Sequence, residues 1–500
     1  MNKDKIKKAI ILGGGPAGLA AAYELIEKDS NIQPIIIEKL PCVGGISRTV
    51  YSGKLGVDIG GHRLHTHDKY IESIWLKFLS LQNAPSVDDI AANRKIDYPT
   101  IGKNPNESND VMLIRNRFSS IIYNSKFFPY PLKIDFNNFK KLGILTSFKA
   151  GFSYLKSSIF KRKETNLEDF MVNRFGKVLY EIFFKDYTKK LWGVDASQLS
   201  NEWGDQRIRK LSLMKTVLNS FLSSFKFLKF KKEKSLIDKF YYPKFGCSQL
   251  WDLMAEYIAN KGGKIILNAE FVDFSCNLDN ILSVKYKDSN GCVQEINADY
   301  VLSSIPISDL IKAIDVPLNI KQNALNLPYR DYILVSMYSN ELNLKNYTDY
   351  KTVNNVTPDN WIYLQERDAI AGRIQIMNNW SPYLVEDFEN KYLVSLEYFA
   401  NVGDDLWSKT DDELISIALL ECKKYNLFKA TSVIKSMVIR EQKAYPAYHG
   451  SHKNIDSIRN HIAKYKNLYL IGRNGQHKYC NMDEAMNYGI KVARDIILNR

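Results

Sequence analysis

The feature that most constrains this chain lies in its first forty residues. Gly13, Gly15 and Gly18 form a G-x-G-x-x-G turn. An apolar strand-like run, Lys8 to Leu12, precedes it, and a helical pattern, Pro16 to Lys28, follows it. In that setting each glycine has a task. Gly13 allows the tight turn, Gly15 lets the backbone approach a pyrophosphate, and Gly18 lets the helix pack closely on the strand. The helix N-terminus then offers free N–H groups to phosphate charge. A second apolar strand, Pro34 to Glu38, ends in a carboxylate twenty residues beyond Gly18, where it can accept ribose hydroxyls. Strand, turn, helix, strand in this order predicts an α/β unit, a parallel sheet covered by helices, that holds a dinucleotide.

Two additions indicate which dinucleotide. The first is GGISRT, Gly44 to Thr49, just past Glu38. This segment resembles the extension found in FAD-binding amine-oxidase-like proteins, which NAD-only proteins lack. The resemblance places Gly45 and Arg48 near the pyrophosphate. The second is at the other end of the chain, where Gly472-Arg473-Asn474-Gly475 follows the strand NLYLI and precedes a long helix, with Gly472, Arg473, Asn481 and Met482 as candidate cofactor contacts. A helix N-terminus aimed at the pyrimidine edge of a flavin stabilises the reduced, anionic ring. No second G-x-G-x-x-G occurs, so a dedicated nicotinamide domain is not expected.

A chain of 500 residues should divide into roughly two or three packed units. The expected division has a discontinuous Rossmann-like FAD-binding domain at 1–72, 237–310 and 440–500. A mainly helical insertion for substrate and nucleotide spans 73–236, and an antiparallel sheet domain for substrate spans 311–439. No apolar run approaches the ~20 residues that span a bilayer. The apolar part of the N-terminus runs directly into glycines, so the reading is cytoplasmic. The six cysteines are scattered, with no redox-pair or metal-ligand spacing, and no metal site is expected.

The net charge of +14 suits nucleic acid, an anionic membrane face or a phosphorylated substrate. No nucleic-acid-binding motif is present. The stretch Ser220 to Lys239 interleaves Phe and Leu with Lys, and reads either as a solvated basic face or as a peripheral membrane contact.

Four further blocks resemble UDP-galactopyranose mutase and its relatives in polysaccharide biosynthesis. GGHRLHTHD, Gly60 to Asp68, is similar to that family's histidine loop, with Gly61 and His62 over the flavin. LYEIFFKDYTKKLWGVDASQLS, Leu179 to Ser200, is similar to its uridine site, which implies that Phe183, Tyr187, Thr188 and Trp192 hold the uracil. Read without the resemblance, an aromatic stripe at helical spacing is core. Arg207, with Arg209 as a competitor, and Arg330 in PYRDY resemble the two pyrophosphate arginines. KAYPAY and GRNGQHKYCNMD supply Tyr445, Arg473, Tyr479 and Asp483, while Asn481 stands where the bacterial mutases have aspartate. The stretches RIQIMNNWSPYL and LEYFANVGDDLW look more like a protoporphyrinogen-oxidase-like group. The implied fold is a GR2-type flavoprotein with an inserted helical domain and a mixed β-sheet substrate domain.

The implied activity is interconversion of UDP-hexopyranose and UDP-hexofuranose, with N5 of reduced FAD as nucleophile and His62, Arg207, Arg330, Tyr445 and Tyr479 around the reacting sugar. NAD(P)H would serve only as a reductant that primes the flavin. Two other classes remain open: a flavin oxidoreductase of the amine- or protoporphyrinogen-oxidase type, and a membrane-associated scaffold that kept FAD but lost its chemistry.

Overall fold

A computed structural model describes residues 6–28, 31–130, 140–204 and 239–499. The segment with Arg207 and Arg209, and the basic stretch from Ser220 up to residue 238, lie outside the described residues.

The N-terminal pattern folds as expected. Lys7–Leu12 pairs in parallel with Ile32–Ile37 on one side and with Tyr300–Ser303 on the other. Lys264–Ile266 and Leu468–Leu470 complete a five-stranded parallel sheet. The last four residues of each central strand, AIIL and PIII, are apolar and buried because helices cover both faces of the sheet. On one face lie helices Pro16–Glu27 and Met482–Leu498, brought together from opposite ends of the chain. Their crossing requires Gly489, where a Cβ would meet the Ala17 carbonyl oxygen at 2.1 Å.

A second sheet of seven strands stands beside the first. Its order is Val433–Pro446, Tyr329–Ser339, Tyr392–Ala400, Arg373–Ile376, Trp361–Leu364, Ser119–Tyr123 and Lys126–Pro129. All pairings are antiparallel except Trp361–Leu364 with Ser119–Tyr123. The sequence of 73–236 reads as mainly helical, yet it contributes strands at Val111–Asn116, Ser119–Tyr123 and Lys126–Pro129. The short apolar runs VMLIRN and SSIIY are strand length, too short for a buried helix. After them, among the described residues, come the helices Ile144–Ile159, Leu167–Phe175, Lys177–Phe183 and Lys185–Trp192. Among the described residues no helix is long and apolar enough to cross a membrane.

Candidate active site

The glycine turns build a cradle free of side chains. Gly13 takes φ +97°, and its N–H donates to the Ile37 carbonyl at 2.9 Å. At Gly18 a Cβ would lie 2.1 Å from the Gly13 carbonyl oxygen, so the helix can approach the turn only without one. The second turn docks onto the first through the Gly44 N–H, which donates to the Gly14 carbonyl at 2.9 Å. Gly15 and Gly45 then face each other, and a Cβ built on Gly45 would stand 3.3 Å from the Gly15 Cα. Glu38, buried just past its strand, accepts the Gly14 N–H at 2.6 Å and the Leu40 N–H at 2.8 Å. These bonds fix the carboxylate beside the turn. Arg48 donates to the Gly45 carbonyl at 2.8 Å and pairs with Glu441 at 2.7 Å, which ties the cradle to the long strand of the other sheet.

Where the two sheets meet, the other expected cofactor residues converge. Gly60, at φ +90°, turns the chain so that Gly61 packs on Trp361 and Trp380. His62 follows, partly exposed but enclosed by protein. Burial, then the charges of Arg473 and Arg373, push its pKa down to about 3, so it is a neutral imidazole at physiological pH. Its Nδ1 is buried without a hydrogen-bond partner, an atom suited to a bound group. Tyr445 and Tyr479 stack with centroids 6.1 Å apart and planes 6° apart. Arg473 lies over both rings, at 5.6 and 4.7 Å, and donates to the carbonyls of Cys480 and Ala444. Gly472, at φ +69°, lets this turn rest on Ala17. Asn481 caps the helix that begins at Met482, and its N–H donates to Glu484 at 2.8 Å.

The uridine-site block is placed differently from what the resemblance implies. Phe183 is buried against Tyr123 and Phe128. Thr188 is buried within its helix. Trp192 is 3 % exposed and meets Trp203 edge-on inside a helical core that includes Phe170 and Leu199. Helices crossing at this point consume the aromatic stripe as packing, as its spacing alone would suggest. Tyr187 is the exception among the four: it stays partly exposed and meets Tyr363 edge-on at 5.9 Å. Arg330 is 7 % exposed, and its guanidinium donates to the carbonyls of Leu191 at 3.0 Å, Lys190 at 3.3 Å and Phe399 at 2.9 Å. That geometry closes the C-terminus of helix Lys185–Trp192 and commits Nε and Nη2 to carbonyls. Of these residues Tyr187 alone stays partly exposed, whereas Phe183, Thr188, Trp192 and Arg330 are buried, and Arg207 lies outside the described residues.

The family follows from the whole chain. Residues 16–497 match the model for flavin containing amine oxidoreductases. The chain belongs to that family. FAD is accordingly its cofactor, and the Gly15–Gly45 cradle, Glu38, Arg48 and the His62 loop fit it.

Solved structures of similar fold include a reduced UDP-galactopyranose mutase, with a TM-score of 0.75 at 18% identity over 99% of this chain and 96% of that one. A protein provisionally named a protoporphyrinogen oxidase, from Exiguobacterium sp. 255-15, gives 0.69 at 16% identity over 99% and 100%. A putrescine oxidase bound to putrescine gives 0.56 at 14% identity over 98% and 99%. At such identities these likenesses establish the fold.

Within this flavoprotein the structure adds residues that sequence reasoning missed. From the stacked tyrosines an unbroken row of side chains leads away along the seven-stranded sheet. The Arg373 Nη2 lies 3.4 Å from the Tyr445 hydroxyl, and its Cζ lies 4.6 Å over Trp361. Trp361 stacks with Tyr363 at 5.9 Å, Tyr363 meets Tyr130 at 4.9 Å, and Arg117 stands 5.7 Å over Tyr130. Arg63 sits between Phe240, Trp361 and Trp380, 5.3 to 5.6 Å from each ring, and donates to Ser119 at 3.1 Å.

The electrostatics of this row are uneven. Arg373 is matched by Glu397, fully buried, at 2.6 Å. Burial raises the Glu397 carboxyl, while the arginine opposes the rise. Arg63 and Arg117 have no acidic partner within salt-bridge distance among the described residues, and the Nε of each is buried without a partner. Burial and then the Arg117 charge lower the Arg63 pKa to about 10, which still leaves it cationic. A signal for part of this was in the sequence: Arg373 in RIQI and Glu397 in YLVSLEYFA are charges inside strand-like apolar runs, which must be paired if buried.

Proposed function

We propose that this flavoenzyme is a mutase acting on a nucleotide diphosphate sugar, interconverting UDP-hexopyranose and UDP-hexofuranose for cell-surface polysaccharide synthesis. The carrying observation is the charge of the aromatic row. Two guanidinium groups that make no ion pair among the described residues, Arg63 and Arg117, stand along a row of flat rings, with Asp359 the acid whose charge acts on Arg63. A diphosphate brings the missing negative charge, and guanidinium forks match its oxygens. A cationic amine would meet repulsion at the same wall. Aromatic faces such as Tyr187 and Tyr363 suit a uracil ring. The mutase's place among the proteins of similar fold supports the same reading.

Reduced FAD, when bound, supplies the nucleophile for chemistry at the sugar's anomeric carbon. The chain's own residues bind and orient. Tyr445 and Tyr479 present hydroxyls and ring faces beside the cofactor site, and Arg473 holds their geometry through its carbonyl bonds and ring contacts. Neutral His62 offers a hydrogen-bonding nitrogen without an added charge. The buried Arg373–Glu397 pair keeps Tyr445 positioned while contributing little net charge. No side-chain acid or base is required by this scheme, and NAD(P)H serves as a priming reductant.

The test incubates dithionite-reduced holoenzyme with UDP-galactose and related UDP-sugars and seeks furanose product. A parallel assay offers putrescine and other amines to the oxidised enzyme and follows hydrogen peroxide. Furanose formation with no peroxide is expected. Peroxide formation with no furanose would overturn the mutase reading in favour of an oxidase.

A further inference from the structure

Helix Ile144–Ile159 is amphipathic in the wrong sense for a surface helix. Its face toward the protein carries small or polar residues, with Ser147, Ala150 and Ser157 buried. Its solvent face carries Ile144, Leu145, Phe148, Phe152, Leu155 and Ile159; from Leu145 on they recur every three or four residues, and with Ile144 one turn before Phe148 they align in one stripe. Leu145 is 79% exposed, Phe148 75% and Phe152 74%, and Phe160 beyond the helix end is 73% exposed. Single exposed apolar residues are ordinary, but a contiguous stripe of this size marks an interaction surface.

The surrounding charge selects the occupant. Lys140 and Lys141 precede the helix, Lys149 and Lys156 flank the stripe, and Lys161, Arg162 and Lys163 follow it, all of them exposed. Large apolar side chains bordered by lysines match the interfacial region of an anionic bilayer: rings enter the acyl boundary while ammonium groups reach phosphate headgroups. A sixteen-residue helix is too short to span, so it would lie in the interface plane.

We propose that the Ile144–Ile159 face is a peripheral membrane-docking surface that seats the enzyme on anionic lipid. This goes beyond the proposed reaction and does not depend on it. The surface lies in the segment that leads into the helices around Tyr187.

The test is co-sedimentation of FAD-loaded protein with phosphatidylglycerol–phosphatidylcholine vesicles and with pure phosphatidylcholine vesicles. The wild type should pellet with the anionic vesicles, and more weakly as salt rises. Phe148→Glu/Phe152→Glu should lower partitioning about a hundredfold, since two large side chains are lost from the apolar phase. Both positions are exposed, so flavin absorbance and thermal midpoint should not move. Hydrogen exchange on the wild type supplies a check free of substitutions: amides of 144–160 should gain protection when anionic vesicles are added. Undiminished pelleting of the double variant would overturn the proposal, as would no vesicle binding by the wild type. A vesicle-independent dimer dissolved by the substitutions would also overturn it, in favour of a second copy as occupant.

Discussion

Replacing Arg330 by Met separates two roles that the same arginine can have. The structure makes it a structural clasp. Its guanidinium donates to three carbonyls, two at the end of helix Lys185–Trp192 and one on strand Tyr392–Ala400. Hydrogen bonds from a charged donor are worth about 1.5–3 kcal/mol each. Against their loss stands relief from burying a cation, since burial already lowers the Arg330 pKa and no ion pair compensates it. Met fills much of the vacated volume. The net expectation is a loss of about 3 kcal/mol of stability. Urea unfolding of the holoenzyme, followed by circular dichroism and flavin fluorescence, reads this directly, and UDP titration of the folded variant reads the other role. The midpoint should fall while UDP affinity is unchanged. Unchanged stability together with a tenfold or larger loss of UDP affinity, about 1.4 kcal/mol, would refute the structural assignment and restore Arg330 as a phosphate ligand.

Arg117→Met should do the reverse, weakening UDP binding by about tenfold or more with little change in unfolding midpoint. Glu397→Gln strands the buried Arg373 cation and should cost about 3–5 kcal/mol, most of it recovered in the Arg373→Met/Glu397→Leu double variant; additive losses in a double-mutant cycle would show that the two are not coupled. Gly489→Val should destabilise by at least about 3 kcal/mol, measured by thermal unfolding, because its Cβ would overlap the Ala17 carbonyl and Ala17 belongs to the FAD-binding helix. For His62 the folded pKa of about 3 lies below its ordinary value near 6.5, so the unfolded chain takes up the proton first and stability falls with pH below 6.5. His62→Asn should remove about 2 kcal/mol of the loss between pH 7.5 and 5. Asp58 and Asp359, raised by burial to about 6, act oppositely over pH 6 to 4, so the diagnostic quantity is the difference between wild-type and variant curves.

The cofactor half of this protein was legible in its sequence because its contacts are made by backbone. A pyrophosphate cradle needs glycines where side chains would collide, and Gly13, Gly15, Gly18 and Gly45 are visible as letters at fixed spacing. The apolar ends of KKAIIL and IQPIII announced a sheet covered by helices. The substrate half depends on which face each side chain presents, and that is set by packing between distant segments. FFKDYT and KLWG look the same whether their rings stack on a base or fill a core; crossing helices bury Phe183 and Trp192 and leave Tyr187 partly exposed. Arg330 could serve a phosphate until strand Tyr329–Ser339 brings it against the carbonyls of Lys190 and Leu191. Arg63, Arg117 and Trp361 come from separate segments and become one charged wall only when the seven-stranded sheet aligns them. Local spacing thus determined the dinucleotide fold, while the gathering of Arg63, Arg117 and Arg373 along one row of rings was decided by tertiary contacts between segments far apart in the chain.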